Sequence, residues 1–304
     1  MKKLRRAVDD YLSLRRSLGF RLPAYDGVLH RFVSFLESEQ TDQITIERVA
    51  RWVNDQTGIT ARWRALQVGI VRGFARHWSV RDPRTEVPPA DLIPARRRRR
   101  APYLYTQEEI GRLMDAARRM PSRDALWPTT LSTLFGLLAV TGVRIGEALA
   151  LTADDVDFQR GVLVVRCTKF RKSRLVPLQA STCRALAGYA SQRDRQSPGG
   201  LRFFVSMNGG LLQHGSVHAA FRRLTRIAGI VSSSARLHDF RHRLAVHTLV
   251  RWYRAGHEVE RRLPILSAYL GHCCPRDTYW YLSAAPELMG RARARFERHW
   301  AASP

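Results

Sequence analysis

The segment LSTLFGLLAVTGVRIGEAL, from Leu131 to Leu149, decides the fold of the second half of the chain. Its first ten residues, 131–140, carry no charge, which predicts a helix that is buried on all sides. Gly142 predicts the end of that helix, because glycine readily adopts the left-handed conformation found at helix ends. Arg144 follows in the first turn of the next helix. The segment therefore sets an arginine at the end of a buried helix, where it is a candidate functional residue.

Downstream of this segment, the sequence has a β-type pattern that is followed by a series of helical patterns. Residues 161–167 and 173–178 are rich in β-branched side chains and predict a hairpin joined by Thr168 to Lys172. Apolar residues at helical spacing then predict further helices at about 181–192, 216–228, 238–255, 262–271 and from about 286. This part of the chain is thus predicted to be mainly helical, with one small antiparallel β-sheet.

Upstream of the segment, the sequence predicts another helix and then a linker. Thr106-Gln-Glu-Glu109 is typical of a capping box and predicts a helix that runs to about Met120. The run Arg96–Arg100 lies between two prolines, and five adjacent like charges cannot pack in a core. We interpret 94–102 as a linker, which is either an inert spacer or a cationic strap that lies along phosphates.

Before the linker, four apolar stripes recur at helical spacing. They begin at Leu4, Tyr25, Ile46 and Trp63, and together they predict a small all-helical bundle. The predicted organisation is therefore a helical domain at 1–93, the linker at 94–102 and a larger, mainly helical domain at 103–304.

The balance of charge indicates the class of partner. The 304 residues include 51 Lys+Arg and 26 Asp+Glu, so the formal net charge is +25. An excess of bases over acids that extends along the whole chain points to a polyanion, above all nucleic acid. The sequence contains no apolar run of about 18 residues, and its N-terminus lacks the apolar region of a signal peptide. The four cysteines fit neither a zinc ribbon nor a disulfide framework, so we predict a reduced, cytoplasmic protein without a metal.

Side chains that suit phosphodiester chemistry occur in short segments after the linker. Two arginines can bind the non-bridging oxygens of one phosphate, and histidines can exchange protons near neutral pH. A lysine can give up a proton, and a tyrosine hydroxyl can attack phosphorus. Together they suit a metal-free transesterification through a covalent phosphotyrosine. The candidate catalytic residues are Arg144, Lys169, His238, Arg241, His272 and Tyr281.

In order and spacing, these segments resemble the tyrosine recombinases of the phage-integrase family, over residues 103–285. The helical part at 1–93 resembles the core-binding domain that precedes the catalytic domain in that family. The resemblance implies a two-domain clamp around duplex DNA, with a core-binding DNA-binding domain and a catalytic domain at 103–304. It also implies a Xer-like or transposon-type site-specific recombinase.

The resemblance implies a role for each candidate. Tyr281 matches the nucleophile that forms a 3′-phosphotyrosine, and Lys169 matches the lysine that protonates the leaving 5′ oxygen. Glu147 matches an acidic residue that supports the site. The remaining catalytic matches are Arg144, His238, Arg241 and His272. The candidate DNA-contacting residues are Arg96, Arg97, Arg98, Arg99, Arg100 and Lys172.

Function follows from the same resemblance. It implies DNA integration, transposition or resolution by strand exchange, with no cofactor and with a homotetramer assembled on two sites in double-stranded DNA. Two rival functions stay open, a type IB topoisomerase and a non-catalytic DNA-binding regulator. The Leu270-Gly271-His272 motif and the helical domain at 1–93 favour the recombinase over the topoisomerase, and the complete residue set argues against the regulator.

Some assignments stay open at this point. Lys172 competes with Lys169 for the role of proton donor, and Tyr279 competes with Tyr281 for that of nucleophile. We interpret His242 as an ordinary helix histidine. Three neighbouring carboxylates could suggest a metal site: Asp154, Asp155 and Asp157. They lie in a turn before a strand, and these carboxylates have no distant partner with which to hold a metal ion, so we assign them turn and capping roles instead.

Overall fold

Two units make up the chain in this computed structural model, one at Met1–Arg99 and one at Arg100–Pro304. The structure describes residues 2–94, 101–166, 173–206, 209–284 and 290, except for Arg21, Pro23, Arg123, Val231 and Ser233. The division falls within the predicted linker, whose arginines Arg96–Arg100 lie outside the described residues. No helix within the ranges just given is long and apolar enough to cross a membrane.

The first unit is the helical bundle that the apolar stripes predict. Its described helices are α1 (Lys2–Ser17), α2 (Tyr25–Ser38), α3 (Ile46–Asn54) and α4 (Ala61–Trp78). Thr45 and Thr60 begin α3 and α4, since each hydroxyl accepts a hydrogen bond from a backbone N–H three residues later, at 3.2 and 3.3 Å. The apolar stripes of the four helices meet in one core.

The second unit is mainly helical and contains one small sheet, as predicted. Its helices are α5 (Gln107–Arg118), α6 (Leu126–Thr141), α7 (Ile145–Ala150), α8 (Ala180–Gln196), α9 (His214–Ile227), α10 (Asp239–Arg254), α11 (Val259–Leu270) and α12 (Arg276–Ala284). Its strands are β1 (Val156–Asp157), β2 (Val162–Val165) and β3 (Arg174–Pro177). The capping box at α5 is confirmed: the backbone N–H of Thr106 donates to the Glu109 carboxylate at 2.8 Å, and the backbone N–H of Glu109 donates to the Thr106 hydroxyl at 3.1 Å.

Helix α6 is the buried helix that the opening segment predicts. Leu131, Leu134 and Phe135 have no exposed surface, and burying each such side chain contributes about 1.5–3 kcal/mol. The helix ends at Gly142, whose φ of +63° is left-handed. A Cβ at this position would lie 2.7 Å from Cδ2 of Leu244 in α10, so the close approach of the two helices favours glycine as well. This contact brings the start of α7 next to α10.

The sheet has the order β1-β2-β3 with antiparallel neighbours. The predicted hairpin is confirmed in its strands, where Val165 pairs with Arg174, and its turn at 167–172 lies outside the described residues. Strand β1 is not predicted, because Asp155 and the residues around it read as a turn. Asp155 does act as a cap: it is 4% exposed, accepts a hydrogen bond from the backbone of Thr152 at 2.9 Å and pairs with Arg166.

Helix α12 is likewise not predicted from the sequence. Its sequence, RDTYWYLSA, mixes charged, polar and aromatic residues and carries no clear apolar stripe. Thr278 and Tyr281 are nevertheless buried, at 1% and 2% exposure, and Tyr281 lies in the same cluster as the apolar faces of α10 and α11. The helix is therefore stabilised by tertiary contacts, which a local sequence pattern does not reveal.

Candidate active site

Two predicted arginines meet at the C-terminal end of helix α11. Nη1 of Arg241 donates to the carbonyl of Gly142 at 2.9 Å, and its Nη2 donates to the carbonyl of Leu270. Nη2 of Arg144 donates to the carbonyl of Gly271 at 3.1 Å. The last carbonyls of a helix have no partner within the helix and carry partial negative charge, so they attract these guanidinium groups. Residues far apart in sequence are thereby held at one point.

Arg241 is the more enclosed of the two. It is 2% exposed, and burial together with the positive charge of Arg144 lowers its pKa to about 10. The guanidinium therefore remains charged at neutral pH. Carbonyl oxygens compensate for its lost hydration, and the direction in which it points is fixed by two hydrogen bonds. A fixed, poorly hydrated cation of this kind is suited to binding a phosphate oxygen.

Arg144 is held by Glu147, three residues later. The carboxylate accepts a hydrogen bond from the backbone N–H of Arg144 at 2.9 Å and another from its Nη1 at 2.7 Å. Burial opposes ionisation of Glu147, but bonds and charge from Arg174 and Arg144 outweigh it and hold the pKa at about 2. Glu147 is therefore ionised at neutral pH and orients a guanidinium whose side chain is 33% exposed.

The second arginine on this carboxylate, Arg174, is not predicted from the sequence. Its Nη2 and Nη1 lie 2.7 and 3.2 Å from the two oxygens of Glu147, and its Nε donates to the carbonyl of Tyr269 at 2.8 Å. Arg174 begins strand β3, and nothing in its local sequence distinguishes it from the many other arginines of this chain.

Three histidines lie close enough to the arginines for the positive charge to act on them. His238 precedes the first residue of α10, and burial together with the charges of Arg241 and Arg144 lowers its pKa to about 4. Burial and the same two charges lower the pKa of His272 to about 4 as well. His242 lies one turn after His238, with the ring centroids 4.6 Å apart, and burial lowers its pKa to about 3. All three imidazoles are therefore neutral near pH 7.

Tyr281 lies against these histidines. Its hydroxyl is 3.2 Å from Nδ1 of His242, a contact that sequence analysis does not predict. The ring of His272 stacks on the tyrosine ring with a centroid distance of 6.0 Å. Burial raises the pKa of Tyr281, and the charge of Arg241 partly opposes that rise. The competing Tyr279 has 51% of its surface exposed. Of the two tyrosines, Tyr281 is the one that contacts the histidines.

A further hydrogen bond joins helix α12 to the turn before it. Nδ1 of His272 lies 2.7 Å from Oγ1 of Thr278, so the histidine of Leu-Gly-His is tied to the helix that carries Tyr281. Gly271 forms this turn with a φ of +65°, a left-handed conformation that favours glycine. The two arginines, the histidines and the tyrosine are thus brought together from α7, α10, α11 and α12.

Other predicted residues have no described geometry. Lys169, Lys172 and Arg96–Arg100 all lie outside the described residues. Within the part of the chain that is described, no group of three or more His, Cys, Asp or Glu side chains is arranged to hold a metal ion. The arrangement that is described can bind a phosphate between guanidinium groups, donate hydrogen bonds from neutral imidazoles and present a phenol as a nucleophile.

The chain is similar in sequence to known proteins. A family model described as the phage integrase family matches residues 104–287. The chain is 45% identical to a protein of Sinorhizobium fredii named as an integrase/recombinase, y4rB, over 99% of each chain. It is 26% identical to the tyrosine recombinase XerD of Bifidobacterium longum, over 88% of this chain and 87% of that protein.

Solved structures show the same fold. The XerA recombinase is 24% identical, with a TM-score of 0.52 and 98% of each chain covered. The Tn1549 transposon integrase, in a complex with transposon right end DNA, is 16% identical, with a TM-score of 0.66, 96% of this chain covered and 98% of that one. At these identities, the likeness shows a shared fold.

Proposed function

The chain belongs to the phage integrase family, and on that premise we propose how its own side chains carry out site-specific recombination of DNA. As a tyrosine recombinase, the protein cuts and rejoins DNA strands. The observation that carries the residue assignment is the meeting of Arg144, Arg241 and Tyr281 with neutral histidines at the end of helix α11. These groups provide two cations for one phosphate and a nucleophile beside it.

In the first step, the Tyr281 hydroxyl oxygen attacks phosphorus, and the bond from phosphorus to the 5′ oxygen breaks. Arg144 and Arg241 bind the non-bridging oxygens and stabilise the charge that develops on them. The tyrosine proton passes towards Nδ1 of His242, which is 3.2 Å away. Lys169 supplies a proton to the leaving 5′ oxygen. The product is a 3′-phosphotyrosine and a free 5′-hydroxyl.

In the second step, a 5′-hydroxyl of another strand attacks the phosphotyrosine and gives its proton back to Lys169. The bond from phosphorus to the Tyr281 oxygen breaks, and the proton held by His242 returns to that oxygen. Each step exchanges one phosphate ester for another, so the bond energy is conserved and no energy-rich cofactor is consumed. His238 and His272 are neutral near pH 7 and can donate hydrogen bonds to the phosphate throughout. Glu147 supports the site by holding Arg144.

Replacing Lys169 with arginine should slow cleavage of an ordinary phosphodiester by about 100-fold or more, because general acid catalysis contributes about 10²–10⁴-fold. Arginine keeps the charge, but its pKa is too high for proton donation. A 5′-bridging phosphorothiolate has a sulfur leaving group that needs no proton. On that substrate, the cleavage rate of the variant should therefore return towards that of the wild type. Single-turnover cleavage of both substrates measures the effect.

The matched control is Lys172→Arg, which changes the other lysine of the same hairpin turn. We expect no selective recovery in this control. Recovery in Lys172→Arg in place of Lys169→Arg would move the role to Lys172, and absence of recovery in both would remove proton donation from this turn.

DNA contacts outside the site extend the proposal. We assign phosphate contacts to Arg96–Arg100, a run of five cations that precedes the catalytic domain in the sequence, and to Lys172, three residues after Lys169, because the chain is strongly basic. Two sites must come together for strands to be exchanged, and we assign a homotetramer to that step. We propose the reduced cytoplasm as the location, because the four cysteines of the sequence form no disulfide framework pattern.

Deleting residues 286–304 should leave binding to a single DNA site intact but abolish the synaptic complex. Apart from Gly290, this segment lies outside the described residues, and its sequence carries an apolar stripe at helical spacing, which we propose packs on a neighbouring protomer. The stripe consists of Leu288, Met289, Ala292, Phe296 and Trp300. Native gels of the complexes with one and two DNA sites measure the effect.

Synapsis at the wild-type level after this deletion would contradict the exchange of this segment between protomers. A loss of stability in the isolated protomer, equal to the loss of assembly, would show that the segment packs on its own domain instead. Thermal unfolding of both proteins without DNA separates these outcomes.

Recombination itself is tested with DNA that flanks the gene. We would search that DNA for short inverted repeats around a spacer, place two copies of such a site on one plasmid and look for recombinant junctions. Junctions are the expected result. Relaxation of a supercoiled plasmid that lacks the site, without junctions, would instead indicate a topoisomerase. Binding without a covalent adduct would indicate a regulator.

A further inference from the structure

We propose that Arg174 is a positioning residue for strand cleavage, and this inference rests on the function proposed above. Arg174 links two parts of the site that are distant in sequence: the carboxylate that holds Arg144, and the turn that carries His272. We assign it no direct role at the phosphate, because each of its three guanidinium nitrogens already donates to a protein acceptor.

The first link is the shared carboxylate of Glu147. Arg174 donates to both carboxylate oxygens, at 2.7 and 3.2 Å, while Arg144 donates to them from its side chain and its backbone, at 2.7 and 2.9 Å. The Glu147 carboxylate, which is 10% exposed, thus holds two guanidinium groups. If Arg174 is removed, Glu147 keeps its low exposure but loses the cation that fixes both its oxygens and favours its ionisation, so Arg144 is held less precisely.

The second link is the end of helix α11. Nε of Arg174 donates to the carbonyl of Tyr269 at 2.8 Å. The guanidinium also lies against Gly271: a Cβ at that residue would be 2.8 Å from Nη1 and 3.1 Å from Cζ of Arg174. The glycine of Leu-Gly-His therefore provides space for Arg174 as well as a left-handed turn. The guanidinium fills the gap between Glu147 and the backbone that precedes His272.

Only arginine can make both links at once. Its planar guanidinium presents N–H groups in several fixed directions, whereas lysine presents one compact ammonium group. A lysine at 174 could reach the carboxylate of Glu147 or the carbonyl of Tyr269, but not both in this geometry. Arg174→Lys should therefore impair the site although it keeps the charge.

A pH profile separates positioning from simple stabilisation of the fold. The pKa of Glu147 is about 2, so the carboxylate of the wild type stays ionised over the working range. Burial raises this pKa, and Arg174 is the first of the groups that oppose burial. Without Arg174 the pKa of Glu147 should rise. At mildly acidic pH the carboxyl group is then protonated in a fraction of the molecules, and in those it no longer holds Arg144 as an ion pair. Cleavage by the variant should fall with decreasing pH.

The experiment measures the single-turnover rate of covalent adduct formation with saturating DNA, between about pH 5 and about pH 8. We expect Arg174→Met and Arg174→Lys to be about 10- to 100-fold slower than the wild type near neutral pH, because a displacement of about 1 Å in a site can cost about 100-fold. Arg174→Met should lose further activity towards pH 5, and the affinity for DNA should be unchanged.

Two further variants sharpen the test. Arg174→Met combined with Glu147→Gln should lose the acid-dependent decrease, because glutamine does not titrate in this range. Arg166→Met is the control. Arg166 directly follows strand β2 of the same hairpin, but it pairs with Asp155 and not with Glu147. We expect that control to keep the rate and pH profile of the wild type.

The proposal is overturned if Arg174→Met cleaves at the wild-type rate. It is also overturned if its rate falls by the same factor at every pH, in proportion to a lower melting temperature. If Arg174→Met does not fold, Arg174→Lys carries the test, and a wild-type rate in that variant contradicts the two-link geometry. Failure of the wild type to form any adduct would refute the proposed function, which is a distinct result.

Discussion

Replacing Tyr281 with phenylalanine is expected to abolish covalent capture of DNA completely while DNA binding is retained. The ring is 2% exposed and stacks on His272, and phenylalanine keeps the ring, so the packing of helix α12 should survive. Only the hydroxyl that lies 3.2 Å from His242 is lost. Because no other group can form the same ester, the loss should be total rather than partial. A nicked duplex that traps the adduct, analysed on a denaturing gel, measures the result.

The matched control is Tyr279→Phe, two residues earlier on the same helix. Tyr279 is 51% exposed, so removing its hydroxyl should leave adduct formation at the wild-type level. If Tyr279→Phe abolishes the adduct and Tyr281→Phe does not, the nucleophile has been assigned to the wrong tyrosine.

Replacing Arg241 with lysine should have the next largest effect, a decrease in adduct formation of about 10²–10³-fold. That is the size typical of losing one fixed donor to a developing negative charge. The guanidinium donates to the carbonyls of Gly142 and Leu270 together, and an ammonium group cannot reproduce both bonds. Stability should also fall, by about 1–3 kcal/mol, because a buried carbonyl loses its partner.

A buried arginine outside the site separates the two effects. Arg193 is 4% exposed and donates to the carbonyl of Phe203 at 3.1 Å, so Arg193→Lys should lower the melting temperature in a similar way. Its adduct formation should stay near the wild-type rate. Equal losses of activity in both variants, in proportion to their losses of stability, would contradict a role of Arg241 at the phosphate.

The parts of the site that can be predicted from the sequence are those with a distinctive local pattern. Gly142 and Gly271 stand at helix ends, and each is followed within two residues by a candidate side chain, Arg144 or His272. The His238-x-x-Arg241 spacing sets two groups on one face at the start of a helix. These signals are local because backbone conformation and side-chain spacing at a helix end depend on a few adjacent residues.

The remainder of the site depends on contacts between distant residues. Arg174 reaches Glu147 across 27 positions, and His242 reaches Tyr281 across 39 positions. In a chain this rich in arginine, a single one at the start of a strand carries no distinguishing pattern. Helix α12 is missed for the same reason, since burial against α10 and α11 stabilises a segment that has no apolar stripe of its own.

The most direct test of the account is to identify the covalent bond itself. Wild-type protein is incubated, in the presence of a metal chelator, with a nicked duplex that carries its recombination site. The adduct is digested with a protease and nuclease, and the modified peptide is sequenced by mass spectrometry. The account predicts a single phosphotyrosine at Tyr281, joined to the 3′ end of the cleaved strand. Attachment at another residue, attachment to a 5′ end, or cleavage that leaves no protein on the DNA would contradict it.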